Sequence, residues 1–156
     1  DAEVRGLEAD ITYAPSAGLT MGAAFSVLGS EVTDTKTPST DVVEGMELAY
    51  APKFQGNVWV RYEWAMANGW MGHVMPSISH SAKSYSDIIT INRMDVPNWT
   101  MVNFSAGIAS EDWMIEAFVT NLTDEQVVTG ANYVNDRERL ALAPPTTLGV
   151  RVSFDF

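Results

Sequence analysis

The chain has no cysteine, few cations and no long apolar run, and each absence removes a class of protein. Without cysteine there is no disulfide scaffold, thiolate zinc finger or redox pair, a composition that suits an exported protein. Nine Lys plus Arg against twenty Asp plus Glu give a formal net charge of -11. No basic cluster is present to meet a phosphate backbone, so nucleic acid is excluded as a partner. The longest stretch free of charged side chains runs from Trp64 to Ala82 and holds Asn68, Gly69, Gly72, His73, Pro76 and His80. That is no membrane helix, so any crossing of a bilayer is made by strands. The opening Asp1-Ala2-Glu3-Val4-Arg5 lacks a basic-then-apolar leader. The expectation is a processed chain or the later part of a longer one.

What is present is alternation with a period of two. Leu148, Val150, Val152, Phe154 and Phe156 point to one side of a final strand, with Gly149, Arg151, Ser153 and Asp155 on the other. The same pattern sets Leu7, Ala9, Ile11 and Tyr13 against Glu8, Asp10 and Thr12, and Leu19 to Val27 against Thr20 to Ser26. An extended stretch from Met46 to Trp64 bends at Pro52, and a weaker strand from Trp70 to Ala82 carries Pro76, which demands a bulge or an unpaired site. Met101–Ala109 and Trp113–Thr120 complete the set. Ile88 to Ile91 is a further candidate extension, and 121–145 reads as a long polar segment.

The connections sort by length. Short turns at 15–18, 65–69 and 110–112 alternate with long loops at 29–45, 83–98 and 121–146. A transmembrane barrel has short turns on its periplasmic side and long loops outside, and strands of about 9 to 11 residues cross its hydrocarbon layer. Tyr13, Trp64, Trp70, Trp99, Trp113 and Phe156 fall near strand ends, where interfacial girdles form. The fold class read here is all-β, an antiparallel transmembrane β-barrel segment. A secreted soluble β-sandwich acting as a binding module is the competing class, since it too alternates faces.

Five segments resemble the C-terminal part of TonB-dependent outer-membrane receptors. Arg5-Gly6-Leu7-Glu8 is similar to a family strand opening, and Tyr50-Ala51-Pro52-Lys53 to a strand start of the form Y-x-P-K/R. Pro97 to Asn103 resembles the strand before the penultimate hairpin. Asn121-Leu122-Thr123-Asp124 resembles the family's NLTD segment, and Pro145 to Phe156 its closing strand. Thr146 stands where the family more often has Arg, and Leu148 where it often has Tyr. The resemblance implies a barrel of about 22 strands around a plugged lumen. This chain supplies about seven, with the plug domain and earlier strands absent from it. It implies location in the bacterial outer membrane and TonB-energised uptake of a scarce solute such as a ferric siderophore. Implied partners are outer-membrane lipid and lipopolysaccharide, the rest of the barrel with its plug, TonB through the missing N-terminal part, and the barrel-insertion machinery. Leu148, Val150, Val152, Phe154 and Phe156 resemble the signal that machinery reads. A stand-alone eight-stranded barrel with a structural or adhesion role requires Met46–Ala51 and Phe54–Trp64 to be separate strands.

The remaining candidates weigh toward structure. Asn121 and Asp124 suit side-chain to backbone bonds at a strand end. The glycosylation patterns at Asn98 and Asn121 are accidental in such a protein. His73 and His80 are an odd number of residues apart, on opposite faces, so no shared metal site and no cofactor is expected. Glu8, Asp10, Arg61, Glu63, Glu116, Arg151 and Asp155 line a wetted lumen rather than a catalytic centre, and no nucleophile elbow or phosphate loop is present. For ligand contact the candidates are Tyr133, Arg137 and Arg139 in the last outer loop and Trp59 on the lumen side. Arginine pairs and aromatic faces suit an anionic or catecholate ligand.

Overall fold

The computed structural model describes residues 1–36, 41–67, 69–135 and 137–155. Among the described residues eleven strands form: β1 (Ala2–Ser16), β2 (Leu19–Val32), β3 (Phe54–Ala65), β4 (Met71–Ser81), β5 (Ser84–Tyr85), β6 (Asp95–Val96), β7 (Trp99–Ala109), β8 (Trp113–Thr120), β9 (Val128–Val134), β10 (Arg137–Leu142) and β11 (Thr147–Phe154). Seven make one antiparallel meander in the order β1-β2-β3-β4-β7-β8-β11. The other four lie in the long loops as two small pairs, β5–β6 and β9–β10.

Cross-strand pairing turns the alternation of single strands into one continuous wall. Reading across the ladders, Ile11 pairs with Ala23 and Ala23 with Val58, then Val58 with Ile78 and Ile78 with Val102. Further along, Ala106 pairs with Ala117 and Ala117 with Val150. Every one of these side chains is on the same face, because directly paired residues share a side. That face is bare. Leu148 is 79% exposed and Leu7 63%, with Ile11, Val58, Ile78, Phe104, Ile115 and Val150 also open. The buried apolar side chains among the described residues are Val32, Val96, Val119, Val127 and Ala131, mostly at the long-loop end. Accessible surface is 10236 Å² for 17.1 kDa, against roughly 7,700 Å² for a compact domain of that mass. A soluble sandwich would cover this face with a second sheet. Here no second sheet lies over it among the described residues, and an apolar patch of this extent needs a non-aqueous neighbour.

At the short-turn end the outward face is ringed by aromatics. Tyr62 and Trp64 stack at 5.7 Å, and Trp113 meets Phe154 at 4.6 Å. Trp99 opens β7 but shares its face with Met101 and Asn103, on the polar side. At the other end β1 and β2 outrun the apolar band. Beyond Leu7 and Val27 the outward positions become Arg5, Glu3, Gly29 and Glu31, so this ribbon stands clear of hydrocarbon.

Several boundaries differ from the sequence expectation. Residues 46–53 are loop and not strand. Gly45 and Tyr50 adopt positive φ (83° and 51°), and the backbone bonds of this segment are scattered single contacts, to Val32 and Leu28 of β2 and to Tyr85, rather than a strand ladder. The stand-alone eight-stranded reading loses its extra strand. The Ile88–Ile91 region ends in a 3₁₀ turn, Thr90–Asn92, instead of a strand. The polar segment 121–145 contains the β9–β10 hairpin, which the charged run Arg137-Glu138-Arg139 disguised. Pro76 keeps its place in β4 without a bulge. The β3–β4 ladder pairs Trp59 with Ser77 and Tyr62 with Val74, and simply leaves the two positions between them unpaired. A missing N–H accounts for that gap. Phe156 and Asp136 lie outside the described residues.

Candidate functional site

The inner face of the wall is polar, and its chemistry is organised in rows across strands. Near the short turns, Glu63 pairs with His73, His73 with Gly107, Gly107 with Glu116 and Glu116 with Arg151. The buried Glu116 carboxylate accepts from His73 Nε2 at 3.0 Å and from Arg151 Nη1 at 2.7 Å. A carboxylate only accepts, so Nε2 carries the proton. His73 is 3% exposed. Its ring fits because Gly107 lies between the partners: a Cβ there would come within 2.7 Å of the imidazole and 2.6 Å of the Ile115 carbonyl. Arg61 closes the row at its other side, donating from Nε and Nη2 to Glu63 Oε1 at 3.0 and 2.9 Å. The Glu116 bonds tie β4, β8 and β11 together, Arg61–Glu63 stays within β3, and both carboxylates are thereby occupied.

Nearer the outer rim, Glu8, Asp10, Ser26, Gln55, Asn57, Ser81 and Trp99 line a hollow of about 550 Å³. Asn57 Nδ2 donates to Ser79 Oγ at 2.8 Å and fixes its floor. Trp59 lies on the same inner face but flat against the wall, its indole over the directly paired Gly22, where a Cβ would sit 2.5 Å from the ring. Trp64 does the same over Gly72 on the outward face, and Phe118 over Gly149 on the inner one. Ring over glycine on the neighbouring strand is a packing device repeated along this sheet.

The outer loops are built around buried polar residues. Asn121, 1% exposed with φ 53°, donates from Nδ2 to the carbonyls of Glu125 (2.9 Å) and Pro144 (3.2 Å) and accepts from the Glu125 amide at 2.9 Å. Its own amide donates to Asn103 Oδ1 at 3.0 Å. Thr146 Oγ donates to the Asn121 carbonyl at 2.7 Å, and its amide donates to Asp124 Oδ1 at 3.0 Å. Thr146 is thus engaged through both its hydroxyl and its amide. Leu122 points out, and Thr123 is exposed.

Tyr50 links two loops that are far apart in sequence. Its hydroxyl donates to the Ala131 carbonyl at 2.7 Å and accepts from the Ala131 amide at 3.0 Å, pinning β9 to the first long loop. Nothing in the sequence ties these positions together. Tyr50→Phe removes both bonds at a cost of about 1–2 kcal/mol. The expected result is faster hydrogen exchange at the Ala131 amide with the wall amides unchanged, and equal exchange at both places would contradict the clamp.

The hairpin separates the candidate ligand residues. Tyr133 is paired with Glu138, and Arg139 with Asn132, so the tyrosine and the two arginines occupy opposite faces of β9–β10. Tyr133 OH donates to Glu138 Oε1 at 2.7 Å, and that bond holds the phenol above its ordinary pKa. Arg137 and Arg139 share one face of β10, a strand exposed on both sides, while Trp59 lies in the wall on β3. His73 and His80 are on opposite faces, and the described residues contain no cluster of three or more metal-ligating side chains.

A one-sided sheet, bare and apolar outside, polar and cross-braced inside, with short turns at one end and long loops at the other, defines the wall of a transmembrane β-barrel. The family described as TonB dependent receptor-like, beta-barrel, matches residues 1–122, and the chain belongs to it. Solved structures agree in fold. The ferric yersiniabactin uptake receptor FyuA from Yersinia pestis superposes with a TM-score of 0.85 at 18% identity, over 99% of this chain and 24% of its own. BauA, the ferric preacinetobactin receptor from Acinetobacter baumannii, gives 0.79 at 23% identity over 99% of this chain and 22% of its own. The siderophore receptor PiuA from the same species gives 0.77 at 19% over 98% and 22%. The chain therefore spans less than a quarter of the length of each. No match is found among curated protein sequences.

Proposed function

We propose that this chain is the C-terminal wall of an outer-membrane active-transport receptor, carrying a scarce solute such as a ferric siderophore under TonB control. The observation that carries the reading is the exposed apolar face, continuous over seven strands and backed by a charged inner face. The sheet is open, with β1 and β11 each paired on one side only. An open edge in lipid leaves backbone groups unpaired at several kcal/mol each, which supports further strands and a plug domain contributed from outside these residues. The plug would rest against the inner rows, and TonB would act through it. Uptake of siderophores by the structural neighbours supports that ligand class, and the exposed Arg137 and Arg139 are the residues we assign to first contact with an anionic chelate. The carboxylates of the inner wall serve bracing rather than acid–base chemistry.

The test is uptake of labelled ferric chelates by iron-starved cells that produce the full-length protein. Loss of the gene is expected to abolish uptake of at least one chelate, and loss of TonB or of the proton gradient to abolish uptake while binding persists. Uptake indifferent to both would overturn the transport reading. Assembly gives a separate expectation. Leu148, Val150, Val152 and Phe154 form the outward row of β11, and deletion of Phe156 is expected to lower the yield of heat-modifiable protein in the outer membrane. Unchanged yield would remove the terminal strand from that role.

A further inference from the structure

Trp59 and Phe118 lie flat over glycines, but Trp99 on the same inner face is paired with Ser81, and its ring covers no glycine. It stands half-exposed at the rim of the inner hollow instead. The ladders carry its row across five strands: Trp99 pairs with Ser81, Ser81 with Gln55, Gln55 with Ser26 and Ser26 with Glu8. One step further down, Asp10 pairs with Ala24, Ala24 with Asn57 and Asn57 with Ser79. Long side chains thus stand at both ends, and the short Ala24, Ser26, Ser79 and Ser81 lower the middle. The hollow of about 550 Å³ is therefore a trough, four strand spacings or about 19 Å from end to end along the sheet.

The two ends differ in chemistry. At one, Glu8 and Asp10 are exposed on β1, two positions apart and so on one face. Ser26 Oγ donates to Glu8 Oε1 at 3.4 Å, a weak bond that leaves both carboxylates open to the lumen. Neither Lys nor Arg is among the described residues that line the trough. Arg61, farther down the inner face of β3, is bound to Glu63. The middle also offers an acceptor. Asn57 Nδ2 donates to the Ile78 carbonyl at 3.2 Å and to Ser79 Oγ at 2.8 Å, so its Oδ1 is the atom left for a ligand. At the far end is the Trp99 indole, the ring type that best attracts cations and flat apolar surfaces.

We infer that this trough selects the solute: it takes a chelate that carries a protonated amine, seated at Glu8 and Asp10, and a flat aromatic or apolar portion laid toward Trp99. The inference deepens the transport reading above and rests on it. Two carboxylates with no matching cation repel an anion and hold an ammonium through charge-assisted bonds. The short residues of the floor let one body span the distance between the ends, and the volume is that of sites enclosing a small ligand, about 300–1,000 Å³. Arg137 and Arg139 on the exposed β10 present the opposite charge. A solute bearing both signs is thereby oriented, anionic side to the loops and amine to the wall.

The experiment uses purified full-length protein and ferric catecholate complexes made in pairs, each with a terminal primary amine either free or N-acetylated. Binding is followed by retained labelled iron. Wild type is expected to bind the free-amine member of at least one pair about tenfold more tightly than its acetylated partner. Glu8→Gln with Asp10→Asn, isosteric changes at exposed positions, should bring the two members within about twofold of each other. Trp99→Leu should weaken both members about fivefold and keep the preference. Heat-modifiable mobility verifies that each variant has assembled. Equal or reversed preference in wild type, no binding of any pair, or a preference that survives loss of both carboxylates overturns the site. Failure of the transport reading looks different: uptake by iron-starved cells would be indifferent to TonB while the amine preference in vitro persists. Conversely, equal TonB-dependent uptake of both members of every pair would leave transport standing and remove the trough's role.

Discussion

Ala23→Arg is expected to destabilise the assembled barrel by about 2–4 kcal/mol, whereas Ala24→Arg, one residue along, should change it by less than about 1 kcal/mol. The two substitutions are chemically identical and differ only in face. Ala23 is at the middle of the outward row Leu19–Val27 and pairs with Ile11 and Val58, so its guanidinium would be forced into hydrocarbon near the midplane. Ala24 points inward and pairs with Asp10 and Asn57, where an arginine meets water and a carboxylate. Denaturant titration of the full-length protein refolded into vesicles, with wild type alongside, measures both. Equal losses, or a larger loss for Ala24→Arg, would reverse the assignment of faces and remove the basis for a membrane-spanning wall.

Asn121→Ala should cost about 3 kcal/mol, because it strips three part-buried hydrogen bonds at once, each worth about 1 kcal/mol. The Glu125 amide and the carbonyls of Glu125 and Pro144 lose the side chain that satisfies them. The positive φ at Asn121 adds to the loss, since alanine tolerates that conformation less well than asparagine. The effect should spread through residues 121–146, appearing as protection lost from the Glu125 and Thr146 amides in hydrogen exchange. Leu122→Ala is the control within the same motif. Leu122 is exposed, and its truncation should be close to neutral. If the two variants matched, the strand-end role of Asn121 would be wrong.

The wall was legible where its strands announce their own faces. Leu7 to Tyr13, Leu19 to Val27, Trp113 to Val119 and Leu148 to Phe154 all alternate without help from neighbours, and the turn lengths supplied the direction. What stayed hidden depends on register between strands or on contacts between loops. The His73–Glu116–Arg151 row unites residues 43 and 35 positions apart, and only the pairing of β4, β7, β8 and β11 brings them level. Tyr50 and Ala131 are 81 positions apart, joined through a hydroxyl that bonds backbone. The glycines beneath Trp59, Trp64 and Phe118 read as weak points within strands until the partner ring is known. In the last loop, Tyr133, Arg137 and Arg139 look adjacent in sequence, but the hairpin turns them to opposite sides. Within Asn121 to Asp124 only the two ends make side-chain bonds to backbone, Asn121 to Glu125 and Pro144 and Asp124 to Thr146.

The long β1–β2 ribbon divides between two environments. Beyond Leu7 and Val27 it continues for five more paired positions, to Ala2 and Val32, a rise of about 17 Å at strand geometry. With Glu3, Arg5 and Glu31 on its outward side, the far part of the ribbon suits water rather than hydrocarbon, so its amides should exchange with solvent faster than those of β1 and β2 inside the apolar band.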